Sequence, residues 1–235
     1  MRNLAIIPAR GGSKRIKDKN IKIFLGSPII TYTIKAALAS NCFDEVMVST
    51  DSSKIAEIAI AHGAKVPFMR SVENSNDHAN TAQVVIEVLN QYKKIGKSFE
   101  YGCCLYPTAP FITIDKICAS FARIKESGAP SVIPIVPFSY PVQRAIRISE
   151  NGLAFVMPEF SQTRSQDLPK LYHDAGQFYW FQVDKFLQSQ VLLMEGSLEF
   201  MCEELEVQDI DTDVDWKLAE LKYRLMNDIK KAKTT

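Results

Sequence analysis

"NLAIIPARGGSKRIKDKN", residues 3–20, contains the first apolar element of the chain and the loop that follows it. The opening NLAIIPA predicts a short buried strand. The remainder holds a proline, two glycines and a dense set of cations, with Asp18 as the one acid. Up to position 22 the basic residues are Arg10, Lys14, Arg15, Lys17, Lys19 and Lys22. Because the formal net charge of the whole chain is only +1, this local charge predicts a site for a small anion.

The composition limits the class of protein. With 235 residues, of which 46% are hydrophobic, the chain can bury the core of one large α/β domain, and disorder is not expected. The balanced charge argues against nucleic acid or a membrane as a partner, because both usually require a broad basic face. No secretory signal and no apolar run of transmembrane length are visible. The five cysteines form no C-x-x-C pair and are expected to be thiols in a cytoplasmic protein.

The order of the elements favours an α/β fold. In the first half, apolar runs at 45–50, 101–107 and 131–137 alternate with segments of helical period, which predicts a largely parallel sheet covered by helices. Ser27 and Pro28 have the pattern of a helix N-cap and first helical residue. After residue 137 a hairpin is predicted around an Asn-Gly pair, and residues 158–176 read as a long loop. A single domain over residues 1–235 with an inserted arm is the simplest interpretation.

The basic loop has the composition of a polyphosphate site. Gly11 and Gly12 allow backbone amides to approach an anion closely, and Ser13, Lys14 and Lys19 add donors and charge. The order of residues matches neither a Walker A loop nor the dinucleotide-binding fingerprint. A solvated basic turn is the alternative interpretation, and the residues alone leave it open.

The acidic segment QDIDTDVD, residues 208–215, is a candidate metal site. In extended backbone, Asp209 and Asp211 point to the same side and can share Mg²⁺. Capping of the following helix is the alternative for each acid, and we assign Asp213 and Asp215 to the helix N-terminus. A basic loop together with two such carboxylates predicts a nucleoside triphosphate with magnesium.

Residues 163–180 contain a third set of polar side chains. Arg164 could bind a carboxylate, with a surface cation as the alternative. His173, Asp174 and Gln177 offer directional hydrogen bonds of the kind that a sugar needs, although His173 could be an ordinary loop histidine. The aromatic residues nearby are predicted to serve the core or an interface; they are Tyr172, Tyr179, Trp180 and Phe181.

Four motifs, IPARGGSKRIKDKN, VSTD (48–51), LYPTAPF (105–111) and QDIDTDVDW, resemble those of the CMP-sugar-acid synthetases, the family of sialic acid cytidylyltransferases and their relatives. The segment 163–180 is most similar to the branch that uses pseudaminic acid. The resemblance implies a three-layer α/β/α, Rossmann-like nucleotidyltransferase fold of the glycosyltransferase-A type, with a mostly parallel sheet. It also implies a homodimer formed through an arm at about 137–173, and transfer of CMP from CTP to a nine-carbon nonulosonic acid with release of pyrophosphate.

The resemblance also assigns residues by position. The phosphate and cytidine loop falls on Ala9, Arg10, Gly11, Gly12, Ser13, Lys14, Lys19 and Asn20, and the Mg²⁺ ligands on Asp209 and Asp211. The cytosine-proximal segment falls on Arg70, Asp77, Ala79 and Thr81. The sugar-proximal positions are Tyr106, Pro107, Thr108, Arg164, His173, Asp174 and Gln177. Among these, Arg10, Lys14, Lys19 and Asp211 are the expected catalytic residues, while Arg15, Lys17 and Lys22 are assigned to solvent.

Two departures from the sialic acid enzymes bear on the acceptor. Tyr106 stands where they have glutamine, and residues 173–176 read His-Asp-Ala-Gly where they have Arg-Pro-Asn-Gly. These positions would contact the sugar, so the changes favour a differently substituted nonulosonic acid. The alternatives are the same reaction on legionaminic, N-acetylneuraminic or 3-deoxy-octulosonic acid, and a nucleotide-binding protein without turnover. No side chain is a clear general base; His173 is a candidate, with metal and solvent as the alternative.

Overall fold

The computed structural model describes residues 2–76 and 79–234, and within them the chain forms eleven strands and six α-helices. The strands are β1 (Asn3–Pro8), β2 (Ile23–Phe24), β3 (Ser27–Pro28), β4 (Glu45–Ser49), β5 (Tyr101–Leu105), β6 (Ser131–Pro137), β7 (Ile146–Ser149), β8 (Gly152–Phe155), β9 (Tyr172–Asp174), β10 (Phe178–Gln182) and β11 (Leu198–Met201). The helices are α1 (Ile30–Ala39), α2 (Ser53–Ala61), α3 (Thr81–Lys94), α4 (Ile114–Ser127), α5 (Val183–Ser189) and α6 (Asp213–Thr234).

The central sheet has the strand order β11-β6-β10-β5-β1-β4, with β9 paired to β6. Strand β1 runs parallel to both β4 and β5, and β11 runs parallel to β6. Strand β10 lies antiparallel between β5 and β6, and β9 is antiparallel to β6. The predicted, mostly parallel sheet is therefore confirmed, with β9 and β10 as its reversed strands.

The alternation of side chains along β1 explains the three layers. Ala5 and Ile7 pack in the cluster that also holds the buried faces of α1, α2 and α4. Leu4 and Ile6 point to the opposite face, where they pack with α3 and α5. Because both faces of the strand are covered, residues 4–8 of β1 are all apolar rather than alternating.

One local prediction was wrong: Ser27 and Pro28 do not begin a helix. They form β3, which pairs with β2 in a hairpin, and α1 begins at Ile30. The turn residues Leu25 and Gly26 both have positive φ, at 45° and 96°, which is the geometry of a type I′ hairpin turn. Leucine in this conformation gives no turn signal in a sequence, so the prediction followed the Ser-Pro pair instead.

The predicted helix ends are confirmed where a cap is present. The Thr113 side chain accepts a hydrogen bond from the Lys116 amide at the start of α4, and Gly128 ends that helix with φ 67°. At the start of α6, the Asp215 carboxylate accepts from the Thr212 amide at 2.7 Å and from the Asp211 amide at 3.1 Å. A hydrogen bond from the Thr212 hydroxyl to the same carboxylate at 2.8 Å, together with these amide bonds, lowers the pKa of Asp215. These bonds tie the acidic segment to the helix that follows it.

Residues 137–173 contain the predicted hairpin, formed by β7 and β8, and three 3-10 turns at Val142–Arg144, Pro158–Phe160 and Ser165–Asp167. Large apolar side chains are exposed on it, including Ile148 at 86% and Leu153 at 74%. The assignment of this segment as an arm within one domain stays a prediction. None of the helices in the described part of the chain is long and apolar enough to cross a membrane.

Candidate active site

A cleft of about 240 Å³ lies where β1 and β5 end. In an α/β sheet this edge, at the carboxyl ends of the strands, is the usual place for a ligand. Three parts of the chain line the cleft: the loop after β1, the residues that lead into α3, and the turn after β5. From the predicted site they bring together Arg10, Ser13, Lys14, Lys19, Asn20, Arg70, Ala79, Thr81, Tyr106, Pro107 and Thr108.

The charge of the cleft is positive. Among the described residues that line it there are five cations and no carboxylate; the cations are Arg10, Lys14, Arg15, Lys19 and Arg70. Such a set opposes the charge of a polyphosphate directly. Arg15 was assigned to solvent from the sequence; its side chain is 68% exposed, and it also lines the cleft and pairs with Asp211. Lys17 is exposed as expected, whereas Lys22 pairs with Asp213 at 2.9 Å and lies over the Trp216 ring.

The loop after β1 is held from two sides. The buried Asn20 donates a hydrogen bond from Nδ2 to the Arg10 carbonyl at 2.9 Å. The Gly11 amide donates to Oδ1 of Asp51 at 2.8 Å, so this amide is engaged within the protein and not directed at the cleft. A Cβ on Gly11 would lie 3.1 Å from Cβ of Ser52, which explains the glycine by close packing. Ala9 is fully buried, and Gly11 and Gly12 are not among the lining residues.

Arg70 is a buried cation on the floor of the cleft. Its Nε donates to Oγ of Ser49 at 3.0 Å, and its Nη2 donates to the Ser49 carbonyl. Burial lowers the pKa of Arg70, while the charges of Asp51 and Glu87 oppose that shift. The guanidinium is therefore fixed in orientation by β4. Of the cytosine-proximal residues predicted with it, Ala79 and Thr81 line the cleft, and Asp77 lies outside the described residues.

The acidic segment meets the basic loop at Asp211. Its carboxylate lies 2.8 Å from Nη1 of Arg15 and 3.4 Å from Nζ of Lys19. Lys19 also donates to the Ile210 carbonyl at 2.7 Å. Asp209 lines a separate depression beside His173 and Lys222. Within the described part of the chain no group of three or more His, Cys, Asp or Glu residues could hold a metal ion.

A second cavity, of about 390 Å³, adjoins the cleft. Tyr106 lines both. Apolar walls come from the sheet and from the segment after α5, and polar groups come from β9 and β10. Beside Tyr106, the residues that matter for recognition are Ile133, Ile135, His173, Asp174, Tyr179 and Leu192. Two of the predicted sugar-proximal residues, His173 and Asp174, therefore lie in a cavity that opens next to the cationic cleft.

Two of the predicted sugar-proximal residues lie elsewhere. Arg164 pairs with Asp167 at 2.8 Å on an exposed turn and lines neither the cleft nor the second cavity. Gln177 is 2% exposed, and its Nε2 donates to the Glu206 carbonyl, so it holds the turn that precedes the acidic segment. Arg164 was predicted from its charge and from the family resemblance and Gln177 from its polar character, and neither tells which way a side chain points.

The sequence analysis missed several residues of the site. Ile16 and Val84 line the cleft, and Tyr179 lines the cavity with its hydroxyl bonded to Asp174. Tyr179 was interpreted as a core aromatic residue, and it is indeed buried. The signal in the sequence was the hydroxyl group of this tyrosine, because a buried tyrosine hydroxyl requires a hydrogen-bond partner. For Ile16 and Val84 the sequence offers no signal beyond apolar character.

Comparisons with known proteins identify the family of the chain. Residues 4–214 match the family model described as cytidylyltransferase. The chain is 40% identical over 229 residues to a pseudaminic acid cytidylyltransferase of Campylobacter jejuni, covering 96% of this chain and 97% of that one. It is 34% identical to a CMP-N,N'-diacetyllegionaminic acid synthase of Legionella pneumophila, covering 94% and 95% of the two chains.

A solved structure shows the same fold. A CMP-2-keto-3-deoxy-manno-octonic acid synthetase complexed with CTP superposes with a TM-score of 0.69 at 18% identity, covering 97% of this chain and 100% of that chain. At this identity the likeness concerns the nucleotidyltransferase fold alone. The family is established by the sequence matches, which span nearly the full length of the chain. The chain belongs to the cytidylyltransferase family of CTP-dependent enzymes.

Proposed function

We propose that this protein transfers CMP from CTP to pseudaminic acid and releases pyrophosphate. One observation carries the proposal: two different spaces lie side by side. The cleft has five cations and no carboxylate among its described lining residues, and the adjoining cavity has both apolar and polar walls. The relative from Campylobacter jejuni, which is named as a pseudaminic acid cytidylyltransferase, supports the choice of acceptor.

The cleft would hold the nucleotide. Arg10, Lys14 and Lys19 oppose the charge of the triphosphate, and Ser13 adds a hydroxyl donor. These cations also stabilise the negative charge that develops on the departing pyrophosphate, and they act strongly because the loop holds them in place before the reaction. Arg70 and Thr81, on the opposite side of the cleft, are the groups available to the cytidine.

The cavity would hold the sugar acid. Its apolar walls, built by Ile133, Ile135 and Leu192, suit apolar substituents of a modified sugar, and His173 and Asp174 offer hydrogen bonds. Tyr106, which lines both spaces, marks the junction where the acceptor hydroxyl would meet the α-phosphorus. Holding both reactants at this junction makes attack in line with the leaving pyrophosphate effectively unimolecular.

Mg²⁺ is proposed as the metal, on Asp209 and Asp211. Two carboxylates that flank the buried Ile210 are a donor set that fits this ion, since Mg²⁺ typically takes one or two protein carboxylates together with substrate phosphates. When bound, the ion supplies phosphate screening and acidifies the acceptor hydroxyl. For Asp211 to bind the ion, its ion pairs with Arg15 and Lys19 must open. Arg15 and Lys19 can then turn to the arriving phosphates, because both side chains line the cleft.

A homodimer in the cytoplasm completes the proposal. Exposed apolar side chains on residues 137–173, such as Tyr140 at 85% and Ile148 at 86%, support an interface there. The cysteines are free thiols, which supports a reducing compartment.

The direct test is pyrophosphate release from CTP and Mg²⁺ with purified pseudaminic, legionaminic, N-acetylneuraminic and 3-deoxy-octulosonic acids, with the products identified by mass spectrometry. We expect the highest kcat/KM with pseudaminic acid. A higher value with another of these acids would reassign the acceptor. Tight CTP binding without pyrophosphate release from any of them would favour the non-catalytic binding protein.

A further inference from the structure

The carboxylates Asp209 and Asp211 lie on a segment with little regular structure. After β11 ends at Met201, the chain makes a 3-10 turn at Glu204–Glu206 and then runs without helix or strand until α6 begins at Asp213. A segment of this kind takes its position from contacts with its neighbours rather than from a ladder of backbone hydrogen bonds. The placement of the two carboxylates therefore depends on what holds this segment.

Glu206, at the end of the 3-10 turn, is paired with a buried lysine. Nζ of Lys116 lies 2.9 Å from Oε2 of Glu206, and the two side chains are 9% and 21% exposed. The same Nζ donates to the Phe111 carbonyl at 3.3 Å. A lysine with so little access to water needs a partner for its charge. Lys116 thus joins Glu206 to the turn that leads from β5 into α4.

Gln177 makes a second connection to the same turn. Its Nε2 donates to the Glu206 carbonyl, and its own carbonyl accepts from the Tyr106 amide at 2.8 Å. Glu206 is therefore held through both its side chain and its backbone. Tyr106 lines the cleft together with the two residues that follow it, so both connections lead from the acidic segment to the wall of the cleft.

The connection extends from Glu206 to the carboxylates themselves. Asp209 lies three residues further along the chain, and the next residue, Ile210, is 1% exposed and packs in one cluster with Phe111. Asp209 thus lies between two anchored residues, and Asp211 directly follows the second. A displacement of Glu206 would reach both carboxylates within a few residues.

We propose that the ion pair of Lys116 and Glu206 positions Asp209 and Asp211 for the metal ion. The inference rests on the proposed function and adds two positioning residues to it, which line neither the cleft nor the cavity. Residues that orient metal ligands from behind act on metal affinity, because a ligand that is not held in place must be ordered when the metal binds. Loss of the pair should therefore weaken metal binding more than it slows the loaded enzyme.

The test uses three substitutions in the full-length protein. Glu206→Gln removes the charge with little change of size, Lys116→Met removes the ammonium group and keeps the aliphatic stem, and Lys116→Arg keeps the charge. Lys97→Met is the matched control, because Lys97 also lies 2.7 Å from a carboxylate, that of Glu45, whose side chain is 6% exposed. Glu45 begins β4, at the edge of the sheet opposite to the cleft.

Two measurements report on the metal. Pyrophosphate release at saturating CTP and pseudaminic acid, followed against the Mg²⁺ concentration, gives kcat and the half-saturating concentration. Binding of Mn²⁺ to the complex of protein and CTP, without a sugar acid, is measured by the loss of the electron paramagnetic resonance signal of free Mn²⁺. Thermal unfolding checks that each variant is folded.

We expect Glu206→Gln and Lys116→Met to raise the half-saturating Mg²⁺ concentration and the Kd for Mn²⁺ by about 10-fold, with kcat at saturating Mg²⁺ lowered by a smaller factor. Lys116→Arg should restore most of the metal affinity. Lys97→Met should lower the melting temperature and leave both metal constants unchanged.

The inference is overturned by unchanged metal affinity in folded Glu206→Gln or Lys116→Met, or by an equal loss of affinity in Lys97→Met, which would indicate general loosening of the fold. If Lys116→Met does not fold, Glu206→Gln decides. Absence of turnover by the wild-type protein with every sugar acid would instead contradict the proposed function, and the Mn²⁺ titration would still test the role of the ion pair.

Discussion

Lys19 connects the two charged segments of the site, and its removal tests the proposed role of the cleft. The Lys19 side chain is 21% exposed, donates to the Ile210 carbonyl at 2.7 Å and lies 3.4 Å from Oδ1 of Asp211. It also lines the cleft. In the substitution Lys19→Ala the protein loses one preorganised cation at the phosphates and both of these contacts between the basic loop and the acidic segment.

The expected loss can be stated in free energy. Removal of one preorganised electrostatic group costs about 2 to 4 kcal/mol of transition-state stabilisation, which corresponds to about 30- to 1,000-fold in kcat. The effect on folding is smaller, because one charged hydrogen bond at a partly exposed site contributes about 1 to 2 kcal/mol. Activity should therefore fall far more than stability.

The assay is pyrophosphate release at saturating CTP, Mg²⁺ and pseudaminic acid, with urea unfolding measured in parallel. Lys17→Ala is the matched control, since Lys17 is an exposed cation of the same loop that does not line the cleft. The reasoning is refuted if Lys19→Ala lowers kcat by less than about threefold, or if Lys17→Ala lowers it equally, because the loop would then act only through its overall charge.

Three further predictions concern the metal, the core and pH. Asp211→Asn should abolish Mg²⁺-dependent turnover, while the melting temperature stays close to that of the wild type because asparagine keeps the size of the side chain. Near-normal activity of this variant would contradict the assignment of Asp211 as a metal ligand. Gly102→Ala should lower the free energy of unfolding in urea by about 1 to 3 kcal/mol, because the new Cβ would lie 2.3 Å from the Phe181 ring; a change below about 0.5 kcal/mol would show that the ring moves away freely. Burial pushes the pKa of Glu45 up, but its bonds to Lys97, Tyr92 and Lys65 outweigh this and lower it. Stability from Glu45 is thus present above about pH 4 and is lost as the pH falls below it. In Glu45→Gln, the urea concentration at the unfolding midpoint should fall less steeply with decreasing pH in the acidic range than it does in the wild type. An unchanged slope in that range would contradict the assignment.

The regular elements of this protein were predicted well because their signals are local. The strands β1, β5 and β10 and the helices α4 and α6 follow from apolar period and from capping residues. The failure at Ser27 and Pro28 has an equally local cause, since Leu25 adopts a positive φ that its residue type does not indicate. The reversed direction of β10 could not be predicted, because strand direction depends on where the arm returns to the sheet.

The amino-acid sequence alone indicates the α/β class, a cationic loop after the first strand and the two carboxylates at positions 209 and 211. These are properties of neighbouring residues, and the family follows from the motifs that they form. The contact of Arg15 with Asp211 joins residues 196 positions apart, and the hydrogen bond between the hydroxyls of Thr81 and Tyr106 joins the start of α3 to the turn after β5. Such distances depend on how the strands order themselves in the sheet and on how side chains pack, which no local pattern encodes. The cationic character of the loop could therefore be predicted from its residues, while its partners across the cleft are a property of the folded chain.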